Sequence, residues 1–187
     1  SVVTSSRVPR YLFALPALLV LALGCTNPDL AKRQYLENGN RLAQQKRYVE
    51  AILEFRNALQ IDEKYGEARV RLADMLAANG NAEGAYREYQ RAADLMPDDA
   101  AVQQALAAAK IELSQLKLAD AKSYVERYPN DYAARFTLAS LLLDTGDHQG
   151  AIANFQQAQK SPKVRLAALA GMGRALKGRK MFDLAVQ

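Results

Sequence analysis

Residue types able to do chemistry are sparse in this chain, and their spacing joins few of them. The one histidine, His148, directly follows Asp147, and no second nitrogen or sulfur ligand stands where it would close a metal site around that imidazole. It reads as a solvated turn residue. The one cysteine, Cys25, has no thiol partner in the sequence. No glycine-rich phosphate loop, nucleophile elbow or zinc-spaced cluster occurs. The adjacent carboxylates Asp98 and Asp99 come just after Pro97, where acidic residues favour the start of a helix by facing the positive end of its dipole. Catalytic residues, cofactor-binding residues and metal ligands are therefore all expected to be none, and the chain reads as no enzyme. Whatever it does has to come from a surface that its elements build.

Cys25 closes a segment of its own kind. Arg7 and Arg10 supply positive charge, an apolar stretch runs from Tyr11 to Leu23, and Gly24 is small. Those are the three parts of a secretory signal peptide, predicted over residues 1–24. The stretch is too short to span a membrane, which takes about 20 consecutive apolar residues, and Pro16 interrupts it.

The run Leu21-Ala22-Leu23-Gly24-Cys25 resembles a bacterial lipobox, whose cysteine receives a diacylglycerol on its thiol. Ala22 and Leu23 stand where that family places Leu and a small residue. Ala22-Leu23-Gly24 also fits an ordinary small-x-small cleavage site, and both readings cut at the same bond. Left unmodified, Cys25 would be a lone thiol in an oxidising compartment. The resemblance implies lipidation of Cys25 and attachment to a membrane through it, since several acyl chains on one residue hold a protein firmly at about 0.8 kcal/mol per buried methylene. Thr26, rather than Asp, follows the cysteine, which implies an exported outer-membrane lipoprotein facing the periplasm, with residues 25–30 as tether.

Composition bounds the partners. Removing the two leader arginines lowers the formal net charge from +5 to +3. The charges are interspersed, the pattern of solvated helix faces, so no nucleic acid partner is expected. Half the residues are apolar, and there is no Trp.

The mature sequence repeats itself. Ala51, Phe55 and Ala58 recur as Ala85, Tyr89 and Ala92, and again as Ala151, Phe155 and Ala158. Phe182-Asp-Leu-Ala185 begins another copy, and the interval from Ala51 to Ala85 equals that from Ala151 to Ala185. Leu72, Ala73 and Leu76 share one helical face, Asn79-Gly80-Asn81 break that helix, and Tyr89 and Ala92 share a face of the next. The small residues Ala73, Ala85 and Ala92 suit crossings where helix axes lie about 8 to 10 Å apart. Gly39 and Gly173 take the place of Ala73 in their own units, and Phe55, Tyr89 and Phe155 fill the volume between units.

This period of about 34 residues, with this pattern, resembles the tetratricopeptide repeat over nearly everything after residue 30. The resemblance implies an all-α fold, a right-handed superhelical α-solenoid of antiparallel helix pairs. About four and a half units are expected, near 31–65, 66–99, 100–130, 131–163 and 164–187. The third is irregular: its first helix falls within Ala100 to Leu113, and Ala121 to Pro129 leaves its second helix about one turn short. No Met precedes Ser1 and Gln187 falls a few residues into a second helix, so the chain reads as a fragment of a longer array.

A solenoid of this kind presents the first helix of each unit along a concave groove. Stripes at i, i+4 and i+7 beside the core are the candidate partner surface: Leu36, Asn40 and Ala43, then Val70, Asp74 and Ala77, then Phe136, Ser140 and Leu143. The Lys, Asn and Arg clamp with which some members hold chaperone carboxy termini is absent, since only Asn40 matches and Leu36 stands at the Lys place. Apolar Leu36, Val70 and Phe136 beside polar Asn40, Asp74 and Ser140 suit an extended or helical segment of another protein. The expected function is a non-catalytic interaction scaffold on the bacterial envelope, in outer-membrane, pilus or exopolysaccharide assembly, with no small-molecule substrate. The rival reading is an adaptor region of a longer enzyme or sensor whose active domain lies beyond residue 187.

Overall fold

The computed structural model describes residues 27–185, with side chains to residue 180. Eight helices follow one another: α1 (Pro28–Gln44), α2 (Tyr48–Ile61), α3 (Gly66–Ala78), α4 (Ala82–Leu95), α5 (Ala100–Arg127), α6 (Tyr132–Asp144), α7 (His148–Ala158) and α8 (Arg165–Ala185). No strand occurs among the described residues. Each helix packs on its neighbours in sequence, which is the quasi-linear arrangement of a helical repeat solenoid. The leader and Cys25 lie outside the described residues. The tether expected over residues 25–30 is shorter, because Asn27 already caps α1 through a 2.9 Å bond from the Asp29 amide.

Local chemistry sets the helix ends. Asn81, Asp99, Asp131 and Asp147 each accept backbone amides of the first turn that follows, removing orphan donors. Of the two carboxylates after Pro97, Asp99 is the one that caps. Within the pairs, Gly80 at φ 79° and Gly146 at φ 85° close Schellman turns, the amides of Asn81 and Asp147 reaching back to Leu76 and Leu142. The first pair closes the same way at Lys46, φ 59°, although a side chain is disfavoured there.

Packing follows the aromatic and small residues. Phe55 and Phe155 are fully buried. A Cβ on Gly39 would collide with the Phe55 ring, so the close approach of α1 to α2 requires glycine at that crossing. Burying each ring contributes about 1.5–3 kcal/mol relative to leaving it exposed.

Two expectations fail here. The helix pair expected over residues 100–130 is one 28-residue helix, α5. Its place for a turn holds Leu113-Ser114-Gln115-Leu116, without glycine, and Ser114 Oγ donates to the Lys110 carbonyl inside a continuing helix. Four residues after Ala121, where the other units carry Phe55, Tyr89 or Phe155, stands Val125, so folding back would bury no ring. The fifth unit likewise shows one helix, α8, through the place where a second was to begin. Its register also differs: Gly171, not Gly173, lies against Phe155, and a Cβ at Gly173 would meet nothing. The step from Ala158 to Gly171 is shorter than the equivalent step from Ala58 to Ala73, and α7 has 11 residues where α2 and α4 have 14. The shorter second helix draws the next one forward.

The core is divided. One cluster runs from Leu36 to Tyr89 and takes in Ala109 of α5; another runs from Val125 of α5 to Ala175. The helix α5 belongs to both.

Candidate functional site

The predicted groove residues separate on the structure. Leu36 is only 8 % exposed and belongs to the core cluster under α2, so its place in the groove is corrected: it holds α1 down rather than meeting a partner. Asn40, one helical turn on, is half-buried and lines a cleft of about 400 Å³ between α1 and α3. Ala43, Gln44, Arg71, Asp74 and Met75 line the same cleft, with the Phe55 ring at its base. Asn40 and Asp74 thus line one cleft.

Asp74 is already engaged. It accepts the Tyr89 hydroxyl at 2.5 Å and lies 3.6 Å from Arg71 Nη1. Burial, and then the bond to the Asp74 carboxylate, push the Tyr89 phenol far above its ordinary range, so Tyr89 stays a neutral donor. The guanidinium of Arg71 is half-exposed and is the cation of the cleft, a residue the stripe pattern passed over.

Val70 faces another hollow, of about 260 Å³, with Glu67, Met96 and Val102, and packs between two parts of the core. Phe136 packs against Phe155 in a tilted arrangement, with ring centroids 5.7 Å apart at 57°, and lies partly buried against the second core cluster. Ser140 Oγ donates to the Phe136 carbonyl at 3.0 Å, within its own helix. Neither α6 residue lines the two hollows that hold Asn40, Asp74 and Val70.

His148 departs from the expected solvated turn residue. It is the first residue of α7, its Nδ1 is buried without a hydrogen-bond partner, and the backbone of Gly178 in α8 comes so close that a Cβ there would strike the ring. Its surroundings make it a packing residue. Among the described residues no group of three or more His, Cys, Asp or Glu could hold a metal, and no helix is long and apolar enough to cross a membrane.

One device recurs that the repeat pattern does not contain. Arg69 donates from Nε and Nη2 to the Glu63 carbonyl, six residues back, and from Nη1 to Glu88 at 2.9 Å. Arg135 repeats this with the Pro129 carbonyl at 2.8 Å and Asn154 at 3.4 Å; Arg165 donates to the Gln159 carbonyl, and Gln103 to that of Pro97. Each staples the loop between units to the helix after it. The sequence carries a faint signal, because the interval from Arg69 to Arg135 equals that from Ala85 to Ala151.

Family models described as tetratricopeptide repeat match residues 42–109 and 132–163. A search of curated protein sequences finds no match. Among solved structures, a MamA protein is 18% identical with a TM-score of 0.46, covering 84% of this chain and 87% of its own. MamA from Desulfovibrio magneticus RS-1 is 15% identical with a TM-score of 0.43, covering 81% and 96%. YrrB, described as a tetratricopeptide protein with an unusual peptide-binding site, is 19% identical with a TM-score of 0.40, covering 78% and 76%.

Proposed function

Starting from a chain that belongs to the tetratricopeptide-repeat family, we propose that it is a non-catalytic scaffold holding a segment of a partner protein in the concave groove of its first helices. The observation that carries this reading is the cleft between α1 and α3, where Asn40, Gln44 and Arg71 offer donors beside the apolar surface of Ala43 and Met75. An extended or helical segment needs such a mixture: donors and acceptors for its polar groups, and apolar contact for its side chains. The binding needs no metal or cofactor. The scaffold works on the bacterial envelope, exported and held at the outer membrane through lipid on Cys25, where it serves assembly of an outer-membrane, pilus or exopolysaccharide apparatus. The leader that ends at the chain's one cysteine supports that address.

Two measurements test the two halves. Fatty-acid labelling in a bacterial host should mark the wild type and not Cys25→Ser; equal label on both removes the anchor. Partner captured from envelope extract and then titrated should lose about 1–3 kcal/mol of affinity with Arg71→Ala or Asn40→Ala. Gln156→Ala, on the exposed side of α7, should leave affinity unchanged. Equal sensitivity to all three, or loss of binding on adding chelator, removes the groove.

A further inference from the structure

In the regular pairs the small residue of the first helix is covered by the second helix. Ala73 and Ala139 are fully buried for that reason, with Tyr89 and Phe155 beside them. One period after Ala73 comes Ala107 of α5, and it is exposed, because α5 runs straight on instead of folding back. A place for a helix is left uncovered there. Along it lies a cleft of about 550 Å³, lined by Ala107, Lys110, Ile111, Ser114, Gln115 and Leu118 of α5, with Asp144 and Thr145 closing one end. Ile111 is 59 % exposed, so a large apolar side chain stands in water beside a small one.

Charge around this cleft is one-sided. Ala107, Ile111, Ser114 and Leu118 share a face at i, i+4, i+7 and i+11. Lys110 and Lys117 run along one edge of that face and Lys122 along the other, while Glu112 and Asp120 point roughly 130–150° away round the helix. None of the three lysines is ion-paired with a described residue. The exception is Asp144 at the carboxyl end of α6, where helix dipole and carboxylate together favour positive charge. A helix lying antiparallel to the first half of α5, as a second helix would, brings its positive amino end to that place.

We propose that the face of α5 from Ala107 to Leu118 docks an acidic amphipathic helix of a partner protein, which completes the third unit in trans. Its amino end lies at Asp144, a large apolar or aromatic residue covers Ala107, and its carboxylates face Lys110 and Lys117. This surface is separate from the α1–α3 cleft and can be occupied together with it.

The test uses the full chain and two labelled, stapled peptides. One has the sequence of α4 from Ala82 to Leu95, which carries the surface that covers Ala73. The other is the same with Arg87→Glu and Arg91→Glu. The acidic peptide should bind at least about tenfold more tightly by fluorescence anisotropy, and should weaken as salt rises. Lys110→Glu with Lys117→Glu should lower its affinity by about tenfold or more, Ala107→Arg should abolish binding with the circular dichroism spectrum unchanged, and Arg71→Ala should leave it as in the wild type. The proposal is overturned if both peptides bind alike, if neither binds, if Ala107→Arg still binds, or if the protein alone forms a dimer that Ala107→Arg dissolves.

Discussion

Lys46 and Tyr89 show how single side chains carry the fold's local choices. Lys46 holds φ 59°, a conformation in which a Cβ costs about 1–2 kcal/mol and which Gly80 and Gly146 adopt freely in the matching turns. Lys46→Gly should therefore raise stability by about 0.5–1 kcal/mol, after allowing for the greater freedom of glycine in the unfolded chain, and a urea midpoint that moves down contradicts this. Tyr89 gives a dependence on pH. Its phenol is raised in the folded state, so its contribution is complete below the ordinary tyrosine range near 10 and is lost as pH climbs above it. Tyr89→Phe should cost about 0.5–1.5 kcal/mol at neutral pH through the lost bond to Asp74, and should flatten the fall in stability above pH 10. A variant whose alkaline unfolding curve runs parallel to that of the wild type would refute the assignment.

Elements follow from the sequence wherever a turn and a ring agree. The pairs α1–α2, α3–α4 and α6–α7 were legible because Ala51, Ala85 and Ala151 recur with Phe55, Tyr89 and Phe155 four residues on. Where α5 continues, the alanines recur but the ring does not, and spacing alone cannot show whether a helix folds back or runs on. The register of α8 departs from the strict period for a related reason: that period takes α7 to be as long as α2, and it is shorter. Groove residues were half legible, since Leu36 and Asn40 differ by only about 40° round the helix and packing by α2 decides which of them is buried. The arginine staples leave only the repeat interval in the sequence, because a side-chain bond to a carbonyl six residues back depends on the path of the loop. The two glycines of α8 test the observed register. Gly171→Ala should overpack Phe155 and cost about 1–3 kcal/mol, whereas Gly173→Ala should be neutral or stabilise by up to about 1 kcal/mol through helix propensity. Thermal melts that rank the two variants the other way would restore the strict period.

At the scale of the whole molecule, a linear stack of helices with a divided core spreads surface instead of enclosing a cavity. Clefts open between successive elements, one between α1 and α3 and another beside α5. Function in such a molecule is a matter of what lies along it. Hydrogen exchange of the full chain with and without the partner captured from envelope extract reads this most directly. Occupancy of the groove predicts added protection on α1 around Asn40 and on α3 around Asp74, with α2 and α4 unchanged on their outer faces. Protection confined to α2 and α4, with none on α1 or α3, would contradict the groove as the binding surface.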